Sequence, residues 1–304
     1  MPEPMKIAIS GTSGLIGSGL RDHLTELGHD VVGLVRRRPE ADSGDIYWNA
    51  EAGTSGEIDG AALQGVDAVV HLAGEPIGDK RWTPEQKLRI KSSRVDGTRL
   101  LADALASMTD GPQVLVQGSA VGVYGDRGDE LLPETADRGP DFLADVVVAW
   151  EAAARPAEAA GLRVSYARTG VVIAEEGPLI EKVKLPFSLG IGGVIGSGAQ
   201  WVPWISLDDE LRALTFMLTN DVRGPVNLVA PTPVTNRQLT KALGEVMHRP
   251  TVIPTPIFGI RALYGEMGVT LATVSQRVVP EVLAEAGFEW QQPEILESLR
   301  LALA

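Results

Sequence analysis

Apolar positions follow two rhythms along the first half of the chain. Ile7 to Ile9 is a short unbroken apolar run, a glycine-rich segment follows, and Ile16, Leu20, Leu24 and Leu27 then recur at helical spacing until Gly28. Steps of three and four residues place side chains on one helix face, and glycine closes helices because it tolerates a left-handed cap. Val31 to Val35 is continuous again, as suits a strand covered by helices on both faces. Strand, helix and strand are thus complete by Arg36, which predicts a parallel βαβ unit. Ile46 to Trp48, Ala68 to Leu72, Val114 to Val116 and Val164 to Ala167 predict further strands with helices between them. Thr83-Pro84-Glu85-Gln86 offers a cap, a first-turn proline and a glutamine at the third position, so a helix is expected from there past Leu101. Others are expected over Phe142 to Ala160, closed by Gly161, over Leu207 to Leu218, opened by Ser206 or Asp208, and between Pro280 and Gly287.

This alternation predicts the α/β class with a doubly wound parallel sheet. Beyond Ile173 its character changes: glycines stand at 190, 192, 193, 196 and 198 and prolines at 225, 231, 233, 250, 254 and 256. The expected plan is a nucleotide-binding domain over 1–173, with 205–228 returning to its sheet. A smaller α+β substrate lobe is expected from 174–204 and 229–304.

Composition narrows the function. With 44% hydrophobic and 22% charged residues in 304, the chain fits one compact globular unit. A formal charge of −13 disfavours capture by nucleic acid or an anionic membrane, so the expected partner is a small molecule. There is no cysteine, hence no disulfide framework or thiolate metal site, and the four histidines are scattered; no metal is expected. No leader-like segment opens the sequence and no apolar run approaches the roughly 20 residues that cross a bilayer, so a cytoplasmic protein without membrane attachment is expected.

The segment between the first strand and first helix is Gly11-Thr12-Ser13-Gly14-Leu15-Ile16-Gly17, with glycines spaced three apart. Glycines permit a tight turn and a close approach of pyrophosphate to the backbone, while the amides and dipole of a helix N-terminus favour negative charge. All seven residues are therefore candidates for dinucleotide binding. An NAD site usually ends its second strand with an acid that bonds the ribose hydroxyls. Arg36-Arg37-Arg38 stands there instead, and a guanidinium can fork onto a 2′-phosphate. Arg36 and Arg37 thus point to NADP(H) as the cofactor.

Ser10-Gly11-Thr12-Ser13-Gly14-Leu15-Ile16-Gly17, His71-Leu72-Ala73-Gly74 and Ser119-Ala-Val-Gly-Val-Tyr124-Gly125 together resemble the extended short-chain dehydrogenase/reductase pattern. Gly74-Glu75-Pro76-Ile77, Lys80-Arg81-Trp82, Gly192-Gly193, Gly198-Ala199-Gln200-Trp201, Pro203-Trp204-Ile205 and His248-Arg249-Pro250 resemble, more narrowly, the epimerase family proteins. The resemblance spans almost the whole chain. It implies a Rossmann-type fold, an NADP-type cofactor also touched by Leu72, Ala73 and Gly74, and a C-terminal substrate lobe. By analogy with similar folds, a homodimer would pair the helices that begin near Thr83 and Phe142.

Enzymes of that class pair a tyrosine with a lysine four residues later, one helical turn away, so that the ammonium lowers the phenol pKa. The positions four residues after the tyrosines here are Glu51, Gly128, Gly170 and Gly268, and the positions matching the pair are Leu143 and Val147. The usual acid/base machinery is absent. Replacement candidates are Ser119, matching the family's serine if one residue is inserted before Tyr124, and Tyr124 itself. Arg168, after the sixth strand, can point at the cofactor crevice. Lys80 and Arg81 can meet an anionic substrate, and Trp201 and Trp204 can line its cleft. Helix capping explains the adjacent Asp208 and Asp209 better than acid/base work does. Two functions remain open: an NADP(H)-dependent oxidoreductase or epimerase-like enzyme acting on a small carbonyl or alcohol, and a catalytically reduced NADP(H)-binding regulatory or scaffold protein.

Overall fold

The computed structural model describes residues 3–40, 42–51 and 56–303. Strand β1 (Lys6–Ser10), helix α1 (Leu15–Glu26) and strand β2 (Asp30–Val35) make the first βαβ unit. β3 (Ile46–Asn49), β4 (Glu57–Ile58), β5 (Ala68–His71), the long α2 (Pro84–Ala106), β6 (Val114–Ala120) and β7 (Leu131–Leu132) follow. The expected helix over 142–160 is two, α3 (Phe142–Ala153) and α4 (Arg155–Ala159), because Pro156 starts a new helix inside the alanine-rich stretch. Next come β8 (Arg163–Thr169), β9 (Val171–Ile173), α5 (Pro178–Ser188), β10 (Trp201–Val202), β11 (Trp204–Ser206), α6 (Leu207–Thr219) and β12 (Gly224–Leu228). The remainder is β13 (Val234–Thr235), α7 (Asn236–Val246), α8 (Ile257–Thr273), β14 (Arg277–Val278), α9 (Glu281–Glu285) and α10 (Ile295–Ala302).

Eight strands form the main sheet in the order β12-β8-β6-β5-β1-β2-β3-β4, and only β4 runs antiparallel to its neighbour. The chain builds outward from β1 to β4 and then returns to place β5 on the other side of β1. A crevice opens at such a switch point, above the carboxyl ends of β1 and β5. Alternate residues feed the two faces. Ile7, Ile9, Val70 and Val116 pack with Leu20 and Leu24 of α1 and Leu214 and Met217 of α6. Ala8, Val69 and Leu115 pack with Leu101 and Leu105 of α2 and Ala157 of α4.

A separate apolar cluster joins Ile180 and Phe187 of α5, Leu239 and Leu243 of α7 and Leu299 of α10. The lobe expected from 229 onward is interrupted, because Leu283, Phe288 and Trp290 pack into the core of the main sheet and β14 pairs with β7. Among the described residues no helix is long and apolar enough to cross a membrane. None of their histidines, cysteines or acids cluster as a metal site would require.

Candidate functional site

The glycine-rich turn is built for close approach. Gly11 adopts φ +76°, and its carbonyl accepts the Gly14 amide at 3.0 Å. A Cβ on Gly17 would fall 2.2 Å from that same carbonyl oxygen, so no side chain fits there. Gly14 is the N-cap of α1 and supplies no side-chain acceptor, which leaves the helix mouth uncapped and free to take an anion. A Cβ on Gly11 would lie 3.1 Å from the Ala73 nitrogen, so the Leu72-Ala73-Gly74 loop presses directly on the turn.

Ser10 fixes that loop. Its hydroxyl accepts the amides of Leu72 at 3.0 Å and Ala73 at 3.2 Å and lies 2.7 Å from His71 Nδ1. Having accepted twice, the hydroxyl donates its proton to Nδ1, which puts the imidazole proton on Nε2. Burial pushes the His71 pKa down to about 4, in keeping with a neutral ring, and that ring meets Trp48 edge-on at 5.1 Å.

At the end of β2 the three arginines are exposed and divide their work. Arg38 lies over the Tyr47 ring at 4.8 Å and reaches Glu57 at 3.3 Å. The side chains of Arg36 and Arg37 make no hydrogen bond or ion pair with any described residue. The structure thus sets two uncommitted guanidinium groups beside an uncapped helix and a glycine cradle.

The other half of the crevice is committed to itself. Ser119 donates to Glu151 Oε1 at 2.7 Å, and Arg168 grips the same carboxylate through Nε at 2.8 Å and Nη2 at 3.0 Å. Arg168 Nη1 donates to the Tyr124 hydroxyl at 3.0 Å and the Glu134 carbonyl at 3.2 Å, and Tyr124 donates to Asn227 Oδ1 at 2.7 Å. The expected cofactor contact of Arg168 gives way to this network, since four of its donor contacts are spent inside the protein. Tyr124 is also displaced from its expected catalytic role: it is 0% exposed, and burial raises its pKa. Leu143 packs near Trp82 and Met267, and Val147 packs with Tyr124 and Leu132, so the positions matching the tyrosine and lysine are apolar contacts.

The four expected substrate contacts separate. Trp204 is 1% exposed and donates to the Thr232 carbonyl at 3.1 Å, so it is core rather than cleft. Arg81 donates to the Ala262 and Leu263 carbonyls at 2.6 and 2.9 Å, just before Gly265 breaks α8 with φ +67°. It satisfies helix carbonyls instead of facing a ligand. Lys80 is exposed and paired with Glu75 at 3.1 Å. Trp201 alone lines a cavity, of about 530 Å³, with Asp126, Asp129, Gln200 and Ser275; it donates to Asp129 at 2.7 Å and carries Arg277 over its ring at 4.5 Å.

Sequence reasoning missed Glu151, Arg94 and Glu210. Glu151 continues the helical face of Leu143 and Val147 by one more turn, a spacing that could have revealed it. Glu210 is fully buried: Thr169 donates to Oε1 at 2.7 Å, Oε2 has no partner, and burial pushes its pKa up to about 8. Asp209 accepts the amides of Gln291 at 2.8 Å and Gln292 at 2.9 Å, while Ser206 caps α6, which makes Asp209 a structural tie.

Comparison with known proteins gives the same outline. The model of the NAD dependent epimerase/dehydratase family matches residues 7–229, and a domain of unknown function, DUF1731, matches residues 255–302. An epimerase family protein of Mycobacterium bovis is 42% identical over 297 residues, covering 97% of each chain. The crystal structure of human epimerase family protein SDR39U1 with NADPH superposes with a TM-score of 0.86 at 30% identity, covering 98% of this chain and 99% of that one. The nucleoside-diphosphate sugar epimerase from Corynebacterium glutamicum gives a TM-score of 0.81 at 34% identity. The match covers 99% of this chain but only 58% of that longer one.

Proposed function

The chain belongs to the NAD dependent epimerase/dehydratase family, and on that premise we propose that it binds NADP(H) and moves hydride to or from a small carbonyl or alcohol. The observation that carries this reading is the pair of uncommitted guanidinium groups, Arg36 and Arg37, at the end of β2 beside the uncapped α1. The residues fit the cofactor: a Cβ would fill the cradle at Gly17, and the donor set is one for phosphates. Amides of Gly11 to Gly17 would hold the pyrophosphate, Arg36 and Arg37 the 2′-phosphate, and Leu72 to Gly74 the neighbouring wall. When bound, the nicotinamide supplies a hydride donor or acceptor. The NADPH in the human relative supports the same choice.

Ser119 sets the polarity of the substrate contact. Its proton is directed at Glu151, so its oxygen is left as an acceptor for a substrate hydroxyl. As an alcohol is oxidised, its hydroxyl proton would pass to Ser119 Oγ while the proton of Ser119 passes to the Glu151 carboxylate. Arg168 holds that carboxylate in place. This relay takes the part of the missing tyrosine and lysine.

Leu143 and Val147 favour a second reading, an NADP(H)-binding regulator or scaffold without turnover. Incubating NADPH and the protein with a panel of quinones, aldehydes and keto-sugars separates the two. Oxidation of NADPH that is lost in Glu151→Gln supports the enzyme. Tight NADPH binding with no oxidation across the panel supports the regulator.

A further inference from the structure

Arg94, on α2, has no ion-pair partner among the described residues, and the Glu75 charge bears on it only at longer range. Its Nη1 donates to the carbonyls of Glu75 at 2.8 Å and Ile90 at 3.1 Å, and its guanidinium lies over the Trp150 ring at 5.0 Å. Nε and Nη2 make no hydrogen bond with any described residue, and no carboxylate among those residues comes within ion-pair distance. Glu75, the acid whose charge bears on Arg94, accepts Lys80 and Gln86 through Oε1, each at 3.1 Å. Burial drags the Arg94 pKa down to about 10, the direction expected when a charge is desolvated without full compensation.

The location ties this cation to the crevice. A Cβ on Gly74 would stand 3.1 Å from Arg94 Cζ and 3.2 Å from Nη1, so the guanidinium backs directly onto the loop that presses on the glycine turn. The opposite wall is Trp150, whose ring also abuts Gly118, the residue before Ser119. Arg94 is therefore held between the Leu72-Ala73-Gly74 loop and the Trp150 ring, and that ring separates it from β6 at Gly118, one residue before Ser119. A planar fork with free donors suits a carboxylate or phosphate oxygen pair better than it suits a neutral group.

We propose that Arg94 anchors an anionic group of the substrate, an oxyanion held beside the cofactor with its donors Nε and Nη2. The placement of that group as substrate rests on the hydride-transfer reading above. The same chemistry could come from the cofactor's own phosphates, and the experiment distinguishes the two sources.

The test titrates inorganic phosphate and malonate into the wild-type protein, alone and saturated with NADPH, and follows binding by calorimetry. The expected result is saturable oxyanion binding that persists with NADPH bound. Arg94→Gln should weaken it by roughly tenfold or more, the scale of a lost charge-assisted bond, and Arg94→Lys by less, while NADPH affinity stays within about threefold in either variant. Arg94→Lys keeps the charge and provides the comparison should the glutamine variant not fold. Displacement of the oxyanion by NADPH overturns the proposal, as does equal oxyanion affinity in wild type and both variants or no oxyanion binding at all. A protein that holds the oxyanion through Arg94 but binds no NADPH keeps the anion site and loses the hydride-transfer reading. One that binds NADPH without an Arg94-dependent oxyanion does the reverse.

Discussion

The two banks of the crevice treat their polar groups in opposite ways. On the bank formed by β1, α1 and β2, the helix mouth has no side-chain cap and Arg36 and Arg37 have no partner among the described residues. On the bank formed by β6, α3 and β8, Ser119, Glu151, Arg168, Tyr124 and Asn227 bond one another in an unbroken series. Unsatisfied polar groups cost stability unless a ligand or water takes them, so the first bank is arranged for a guest. The second is arranged for rigidity, its donors and acceptors meeting one another.

Breaking the closed bank should give the largest effect. Arg168→Met leaves the Glu151 carboxylate, whose side chain is 16% exposed, without its partner, and should cost about 3 kcal/mol of stability. The double variant with Glu151→Gln should recover part of that loss, and urea unfolding of the three proteins measures both. Equal stability of wild type and Arg168→Met would mean that the network is not closed in solution.

Closing the open bank should trade function for stability. Gly14 has φ −91° and ψ 165°, a conformation any residue adopts, and its Cβ would meet only the Gly11 oxygen at 3.4 Å. Gly14→Asp should cap α1 and raise stability by a few tenths of a kcal/mol, roughly. The new carboxylate should at the same time repel the pyrophosphate and weaken NADPH by more than about tenfold. A variant that is no more stable, or binds NADPH as well as wild type, contradicts the reading of that helix mouth.

The contrast also explains what the sequence could reveal. The glycine turn, the Thr83 cap of α2 and the run of short apolar strands follow rules that act within a few residues, and each was legible. The fates of Tyr124, Arg168 and Trp204 were not, because their partners come from afar. Asn227 lies 103 residues after Tyr124, and Glu151 lies 17 residues before Arg168 across a helix and a turn. A tryptophan beside a glycine-rich stretch looks the same whether it lines a cleft, as Trp201 does, or fills a core, as Trp204 does. The return of Leu283 and Phe288 to the main core likewise depends on packing that no local pattern displays, whereas the break at Pro156 could have been read from the proline alone.

A dependence on pH rather than on partners lies on α6, at Glu210. Its folded pKa of about 8 exceeds that of an exposed carboxyl at 4.5. The unfolded chain releases this proton first as pH rises, so the stability tied to the neutral form is complete below about 4.5 and is lost as pH climbs toward 8. Glu210→Gln should remove that dependence. Thermal scans should show the variant gaining on wild type by a few degrees, roughly, between pH 5 and pH 8. Parallel pH profiles for the two proteins would show that Glu210 ionises at its ordinary pH.

The most direct test of the open bank is calorimetric titration of the folded wild-type chain with NADPH and with NADH, repeated after Arg36→Ala and Arg37→Ala are combined. NADPH should bind tighter than NADH by about tenfold or more, with the difference largely gone in the double variant. Equal affinity for the two dinucleotides in wild type, or heat from neither, would contradict it.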